Sequence, residues 1–453
     1  MQETINIRDT IMLFDKKIDY RPFPEVLKAV QEFISKNYAS ILLDKPEENR
    51  ELVKTYIARF LENKNIGVEG MEQEQLCELL YGEMTGFSFL TKYLYRDDVE
   101  EINLNQWKDV KITYSNGEIL PAEEHFNSPG HAVDVIRRLL HKSGMIFDSA
   151  QTVVVGHLNN KIRITVMGDG VIDAEKGLAA SIRIVNPRKL SKEEFIQSGT
   201  ATEEMLDLLS ICYNHGVSLC ISGATFSGKT TLMSWILGQV PYHKRIVTIE
   251  QGCREFDLTK EGEDGSILNN VVHLVTRFSE DPKQNIDMVK LLETALTINP
   301  DCISIAEMKG NESMQAINAA NTGHSMITTI HANSCSDTYS RMVTLCKQEQ
   351  PGMDDDTLLD LAVKAFPIIV FAKRLEDKSR RIMEITECTR GLHGKPQLQT
   401  LYRYHIEETK YENGKPVITG EYQKIANPSD SLLKLLRENG LTMKQQEMLL
   451  REE

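Results

Sequence analysis

The chain has 453 residues, of which 41% are hydrophobic and 26% are charged, as is typical of a globular protein with two or three domains. Its formal net charge of −14 argues against non-specific nucleic-acid binding as the main function, because proteins of that class usually carry net positive charge. None of its 8 cysteines forms a C-x-x-C pair, which argues against a structural zinc ribbon.

The first 95 residues are predicted to form a helical region. Apolar residues recur there at spacings of three and four, which is the period of a helix with one buried face. The two segments with this period are Phe23–Tyr38 and Glu51–Leu61. The start of the chain lacks a basic segment followed by an apolar one, so we expect no signal peptide and a cytoplasmic location.

A small α+β domain is predicted for residues 96–188. From Val99 onward, apolar residues alternate with polar ones, and Asn116-Gly117 is typical of a hairpin turn. A helical period follows at about His131–His141, and three further apolar segments are predicted strands. These strands are Val153–Gly156, Ile162–Val166 and Ala180–Val185.

Residues 189–200 are predicted to be a linker between two domains. Pro187 precedes a run of charged residues that starts at Arg188, and this composition is typical of a hinge. A plain surface loop explains the same composition equally well. After the linker, Thr200 and Glu203 fit a capping box, which predicts the start of a helix.

Residues 201–453 are predicted to form an α/β domain. Short apolar segments typical of buried strands alternate there with helical patterns, which predicts a parallel sheet covered by helices on both faces. The predicted strands are Val217–Ile221, Ile246–Ile249, Ile303–Ala306 and Met326–Ile330. The predicted helices are Lys229–Leu237, Met288–Ile298 and Ser313–Asn321. The last predicted elements are strands at Ile368–Ala372, Arg381–Thr386 and Gln397–Tyr404 and a helix from about Ser429.

A phosphate-binding loop is predicted between the first of these strands and the helix after it. Residues 223–231 match G-x-x-x-x-G-K-[ST], the pattern in which backbone N–H groups and a helix N-terminus surround phosphates. Lys229 is predicted to neutralise phosphate charge and Thr230 to bind Mg²⁺, so ATP and Mg²⁺ are the expected ligands. The predicted nucleotide-binding residues are Gly223, Ala224, Thr225, Phe226, Ser227, Gly228, Lys229, Thr230 and Thr231. The domain is thus predicted to be a P-loop, RecA-like domain.

Two predicted strands end in a carboxylate. Glu250 follows Ile249, and Glu307 follows Ala306. Because ligands of open α/β sheets bind at the carboxyl ends of the strands, both acids are expected near the nucleotide. Glu307 is the candidate for organising Mg²⁺ through water, and Glu250 is the candidate for polarising the attacking water, with Glu255 in reserve.

Two histidines bracket the next predicted strand. His324 precedes it and His331 follows it. Their positions at opposite strand ends argue against a shared metal. The pattern fits turn and core histidines, and it fits equally well a histidine that senses the γ-phosphate.

The ordered set of motifs from Val99 to the C-terminus resembles the ATPases of type II and type IV secretion systems. The resemblance is greatest to CpaF-like ATPases of the tight-adherence (Tad) pilus. The matching segments are Val99–Asn105, Ser181–Arg183, the phosphate-binding loop, Thr248–Phe256, Leu291–Asp301, Ala306–Gly310, Asn321–His324, Thr328–Ser334 and Ile382–Thr389.

The resemblance implies a homo-hexamer with ATP sites between subunits and an N-terminal domain that moves against the ATPase domain. Arg163 and Arg183 match arginines that reach the phosphates from that N-terminal domain in the family. The weaker matches are Arg188 and Arg277. The family's histidine box corresponds to His324 and His331, and its acidic box corresponds to Glu250 and Glu255.

The sequence departs from the family pattern at five positions. Phe226 stands where the family usually has glycine, and Gln251 stands where it has aspartate. Ala306 replaces the glycine before the metal-site acid, while Lys309 and Thr297 replace arginines. A lysine lacks the planar donor pair of an arginine, so these departures leave slow hydrolysis or an altered subunit interface as alternatives.

The resemblance implies an ATP-hydrolysing motor for pilus assembly or secretion at the inner face of the cytoplasmic membrane. Its expected partners are inner-membrane platform proteins, with peripheral membrane association and no direct sequence-specific nucleic-acid binding. Two alternatives are a conjugation-type secretion ATPase and a nucleotide-binding scaffold with little hydrolysis.

Overall fold

The computed structural model describes residues 18–34 and 50–450, apart from residues 24, 31–32, 86, 95, 97, 160, 186–188, 278–281, 391–395 and 413. The predicted hinge residues Pro187 and Arg188 lie outside this part of the chain. The described residues form two compact units. Unit 1 comprises those up to Leu158 and Ile164–Ile184, and unit 2 comprises Asn159–Arg163 and those from Val185 onward.

The first part of unit 1 is largely helical. Residues 25–30 and 33–34 are helical, and β1 (Asp19–Tyr20) pairs in parallel with β2 (Ile66–Gly67). Apolar side chains at helical spacing, among them Val26, Val30 and Ile57, form a buried core. The remaining helices are Arg50–Lys64, Gln73–Thr85 and Thr91–Leu94.

The second part of unit 1 consists of the helix Pro129–Lys142 and a six-stranded sheet in the order β5-β4-β3-β8-β7-β6, apart from the strand residues within Asn159–Arg163, which belong to unit 2. Its strands are β3 Val99–Gln106, β4 Asp109–Tyr114, β5 Ile119–Pro121, β6 Val153–Asn159, β7 Ile162–Met167 and β8 Ala179–Ile184. The Ser128 side chain caps the helix by accepting a hydrogen bond from the His131 backbone N–H. The predicted period-two pattern is seen in β3, where Ile102 and Leu104 are buried.

The described strands of unit 2 form a nine-stranded sheet in the order β11-β10-β12-β13-β9-β14-β15-β16-β17. Its strands are β9 Leu219–Ser222, β10 Arg245–Glu250, β11 Asn270–Val275, β12 Cys302–Ile305, β13 Ser325–Ile330, β14 Ile368–Arg374, β15 Arg380–Arg390, β16 Pro396–Glu412 and β17 Lys415–Lys424. From β11 to β14 all neighbours are parallel, whereas β14 to β17 are antiparallel. The expectation of a parallel sheet therefore holds for one part only. The last strands follow one another within a few residues along the chain, which is too few for the crossover that parallel pairing needs.

Helices cover both faces of this sheet, as the alternation of elements predicts. Leu219 and Ile221 contribute to one buried core, while the intervening Cys220 contributes to the other, as expected for a strand buried on both faces. The helices of unit 2 are Lys192–Gln197, Glu203–Asn214, Lys229–Gly238, Met288–Leu296, Glu312–Asn321, Cys335–Glu349, Asp355–Ala365, Asp430–Glu438 and Met443–Leu450.

The predicted linker, residues 189–200, contains the helix Lys192–Gln197. A capping box starts this helix: Ser191 Oγ accepts from the Glu194 N–H, and the Glu194 carboxylate accepts from the Ser191 N–H. Phe195 anchors it in a buried core. Across the described ranges, no helix has the length and apolar character needed to cross a membrane.

Candidate functional site

The phosphate-binding loop connects the buried strand β9 to the helix Lys229–Gly238. Gly223 begins the loop, and a Cβ atom there would lie 2.1 Å from the Ala372 carbonyl oxygen at the end of β14. Gly228 ends the loop with φ of 92°, a left-handed conformation that glycine adopts at little cost. The two glycines of the sequence pattern are thus each required by the backbone geometry of this loop.

Two buried polar groups line the loop. Lys229 Nζ lies 2.9 Å from the Gly223 carbonyl oxygen and 2.8 Å from that of Ala224. Ser227 is buried, and its hydroxyl has no hydrogen-bond partner among the described residues. A buried cation and an unpartnered buried hydroxyl beside a helix N-terminus match the needs of a phosphate group, so the residues present fit the phosphates of a nucleotide.

The remaining loop residues differ in exposure. Ala224, Thr225 and Phe226 are exposed, whereas Thr230 and Thr231 are partly buried in the first turn of the helix. Phe226 has φ of 63°, a left-handed conformation that is uncommon for a bulky side chain. This conformation gives a physical reason for the glycine that the family pattern has at this position.

Glu307 and His331 meet beside the loop. Glu307 Oε1 lies 3.0 Å from His331 Nε2, and His331 Nδ1 lies 3.1 Å from the Gly223 carbonyl oxygen. Both partners of the imidazole are oxygen acceptors, so each contact is a hydrogen bond when the facing nitrogen carries a proton. Because β12 and β13 are adjacent parallel strands, the acid that follows β12 and the histidine that follows β13 reach the same edge of the sheet.

The turn after Glu307 is held by a side chain that the sequence analysis missed. The Glu312 carboxylate accepts hydrogen bonds from the backbone N–H groups of Lys309 at 2.6 Å and Gly310 at 2.8 Å. Glu312 is buried at the start of its helix, where an acid is favoured by the helix dipole. The signal that could have identified Glu312 is its position as an acid immediately before the predicted helix Ser313–Asn321. Lys309 Nζ also lies 3.5 Å from Glu307 Oε2.

Glu250 lies in a different environment. It is fully buried, and its Oε2 accepts hydrogen bonds from the backbone N–H groups of Glu255 and Phe256. Its Oε1 accepts from Thr248 Oγ1 at 2.8 Å and lies 3.6 Å from His273 Nδ1. The carboxylate therefore closes the loop after β10 on itself, and in this conformation no face of it is accessible to water.

The other predicted residues are placed as follows. His324 is partly buried, with Nδ1 3.3 Å from the Ala319 carbonyl oxygen at a helix end, which favours the turn interpretation over phosphate sensing. Glu255 is partly exposed, and Arg277 is exposed. Arg163 in β7 and Arg183 in β8 are exposed on their strands, and Glu101 of β3 lies opposite Arg183.

Comparisons with known proteins identify the family. The family model described as "Type II/IV secretion system protein" matches residues 151–411, more than half of the chain. An uncharacterized protein of Methanocaldococcus jannaschii is 24% identical over 324 residues, which cover 71% of this chain and 57% of that protein. The type IV secretion system protein PtlH of Bordetella pertussis is 32% identical over 185 residues, which cover 40% of this chain and 52% of PtlH. The chain thus spans little more than half the length of these two relatives.

Among solved structures, the X-ray structure of the Legionella pneumophila ATPase DotB matches with a TM-score of 0.45 and 15% identity. That match covers 79% of this chain and 84% of the DotB chain. The family model and the geometry of the loop agree on the same domain, because the matched range contains β9, the loop, Glu307 and His331. The chain belongs to the family of type II/IV secretion system proteins.

Proposed function

We propose that this protein is an oligomeric ATP-hydrolysing motor that drives secretion or pilus assembly. One observation carries the proposal. Lys229 Nζ and His331 Nδ1 both lie within hydrogen-bond distance of the Gly223 carbonyl oxygen, and Glu307 contacts the other nitrogen of the His331 ring. A cation, an imidazole and a carboxylate therefore converge on the start of a phosphate-binding loop. A phosphate-binding lysine and a carboxylate near the metal position are recurring parts of phosphoryl-transfer sites.

The loop residues would hold the nucleotide. Lys229 would exchange its two carbonyl partners for phosphate oxygens, and the buried Ser227 hydroxyl would gain the partner that it lacks. Thr230 and Glu307 would hold Mg²⁺, Glu307 through water. The ion would supply positive charge that neutralises the phosphates.

The acids at the strand ends are candidates for orienting and polarising the attacking water. Glu307 is partly exposed, with a side-chain exposure of 31%, so it can orient water while His331 fixes its carboxylate. The role of polarising the attacking water stays a prediction for Glu250, which would first have to leave the backbone N–H groups that it binds. Glu255 is partly exposed on the same loop, and this supports it as the better candidate for that role.

Arginines from outside the loop would complete the site. Arg163 and Arg183 are proposed to offset charge on the γ-phosphate, as positioned arginines do in other phosphoryl-transfer enzymes. Their exposure on β7 and β8 supports this role, since an exposed side chain is accessible to a ligand. Arg277, also exposed, is the weaker candidate.

The proposed assembly is a homo-hexamer at the inner face of the cytoplasmic membrane, working with inner-membrane platform proteins as a peripheral component. The resemblance to CpaF-like ATPases favours a pilus, and pilus assembly is the leading proposal. A secretion function of the type IV class is the second candidate, because the region shared with PtlH is 32% identical over 185 residues.

ATP turnover by the purified chain with Mg²⁺ tests the proposal, with Lys229→Ala as the matched inactive control. We expect phosphate release by the wild type that is abolished in the control. Light scattering with and without a non-hydrolysable ATP analogue tests the assembly, and a hexamer is expected with the analogue. A chain that binds ATP but releases no phosphate would point to the scaffold alternative.

A further inference from the structure

The hairpin formed by β14 and β15 touches the phosphate-binding loop at three points. The Ala372 carbonyl oxygen packs against Gly223 at the start of the loop, and Arg380 Cδ lies 3.3 Å from where a Cβ of Gly228 would be. Between these ends, Arg380 Nε donates a hydrogen bond of 3.2 Å to the Phe226 carbonyl oxygen. Arg380, the first residue of β15, therefore holds the loop at its most exposed part.

Phe226 is the loop residue whose conformation needs support. Its φ of 63° lies in the left-handed region, where a side chain is strained and a glycine is not. Its side chain is 40% exposed, so packing in a core does not impose the conformation. The hydrogen bond from Arg380 fixes the carbonyl of this same residue, and it is a contact by which the fold can oppose relaxation of the strained peptide.

The turn that precedes Arg380 is held by the side chain of Asp377. Asp377 accepts hydrogen bonds from the Ser379 N–H at 2.9 Å and hydroxyl at 2.6 Å, and from the Ile418 N–H of β17 at 3.3 Å. Burial raises the pKa of Asp377, but these hydrogen bonds outweigh it and hold the pKa below its usual value. The carboxylate thus stays charged at neutral pH and keeps the turn fixed to the neighbouring strand.

We propose that Arg380 is a positioning residue that keeps the phosphate-binding loop in its nucleotide-accepting conformation by holding the Phe226 carbonyl against left-handed strain. The proposal rests on the proposed nucleotide binding. It also accounts for the departure from the family pattern at Phe226. The loop has a bulky residue at a position where glycine would be unstrained, and the β14–β15 hairpin restrains the strained backbone. A nucleotide would meet a loop that is already ordered, so less affinity would be lost to ordering it.

A double-mutant cycle on the full chain tests this coupling, with a fluorescent ADP analogue and Mg²⁺ as the ligand. We expect Arg380→Ala to weaken binding about tenfold, the size of one charged hydrogen bond. In the Phe226→Gly background the same change should weaken binding by less than about threefold, because the strain that Arg380 opposes is gone. Circular dichroism melting of each variant checks that the fold is retained.

Two further variants separate positioning from charge. Arg380→Gln keeps an N–H donor at the position of Nε but removes the charge, so it should retain most of the affinity. Lys373→Ala removes an exposed cation from the same hairpin and should bind as the wild type does. Equal losses in Arg380→Gln and Arg380→Ala, or an Arg380→Ala loss that persists in the Phe226→Gly background, would show that Arg380 acts by contacting the nucleotide and would overturn the proposal.

The failure of this inference differs from failure of the proposed function. If the wild type binds the ADP analogue, loses it with Lys229→Ala and keeps it fully with Arg380→Ala, only the role of Arg380 is wrong. If the wild type binds no analogue at any protein concentration tested, the nucleotide site itself is wrong, and the inference falls with it.

Discussion

The ends of β10 and β12 differ in what surrounds the glutamate that each carries. Glu250 is fully buried and is bound by two backbone N–H groups and a threonine hydroxyl. Glu307 is partly exposed and faces His331 and Lys309. In sequence the two positions look alike, because each acid closes a buried strand. The hydrogen-bond donors around an acid at a strand end therefore decide whether its carboxylate stabilises its own loop or is available to a ligand.

The physical cause lies in the segments that follow the two strands. After β10 the chain turns back, so that the N–H groups of Glu255 and Phe256 point at Glu250. After β12 the equivalent task falls to Glu312, which binds the N–H groups of Lys309 and Gly310. Since Glu312 holds that turn, Glu307 is left available to a ligand.

The largest expected effect on ATP turnover is at Lys229 of the phosphate-binding loop. Lys229→Ala should lower ATP turnover by about a thousandfold or to background, because the phosphates lose their buried cation. Phosphate release at saturating ATP measures it. The melting temperature should stay near that of the wild type, since Lys229 donates hydrogen bonds to two carbonyl oxygens of the loop and is not part of an apolar core. Turnover at the wild-type rate would place the site elsewhere.

The second largest effect on turnover is expected for Glu307→Gln, at the partly exposed acid. The change keeps the shape but removes the charge that is proposed to organise Mg²⁺, so the maximal rate should fall about a hundredfold while ATP still binds. Steady-state kinetics and analogue titration separate the two quantities. Loss of ATP binding with a normal maximal rate would contradict the role given to Glu307. The exposed Glu293→Gln, in the helix Met288–Leu296, is a matched control.

Arg183→Ala asks whether the rate also depends on unit 1. Removal of a guanidinium that offsets transition-state charge lowers the maximal rate more than it weakens ATP binding, so a loss of about tenfold or more in the maximal rate is expected. Stability should barely change, because Arg183 is exposed. Lys108→Ala, an exposed cation of the same unit, is the control. Equal rates in Arg183→Ala and the wild type would show that Arg183 is not catalytic.

The same contrast explains how far the sequence predicts this fold. The central strands of unit 2 are apolar runs buried on both faces, and that pattern is visible in the residues themselves. β11 is missed because it lies at the sheet edge and is only partly buried. β17 is missed because its residues are exposed or partly exposed along its whole length, so no core-facing pattern marks it.

The candidate site is predictable to a similar extent. The loop, Glu307 and His331 are expected from motif and strand ends, and the structure brings them together. The burial of Glu250 could not be predicted, because it depends on where two backbone N–H groups point, and composition carries no record of that. The contact of Arg380 with Phe226 joins residues 154 positions apart, so it too depends on the packed sheet.

Glu250→Gln has the smallest expected effect on turnover, and it decides what the buried acid does. A glutamine can direct its oxygen at the N–H groups of Glu255 and Phe256 and its amide N–H at the Thr248 hydroxyl, so every hydrogen bond survives in neutral form. Since charged hydrogen bonds exceed neutral ones by about 1 kcal/mol, the free energy of unfolding should fall by about that amount in urea denaturation.

Turnover of Glu250→Gln should stay within about tenfold of the wild type, because the loop that carries Glu255 keeps its shape. Glu250→Ala is the informative partner, since it leaves two buried N–H groups without an acceptor and should cost about 2 kcal/mol or more of stability. If Glu250 polarised the attacking water, Glu250→Gln would instead lose turnover more than stability, because the reaction would depend on the charge of the carboxylate. If Glu250→Gln is as slow as Glu307→Gln and no less stable than the wild type, then Glu250 leaves its backbone partners during turnover, and the two strand ends share one function.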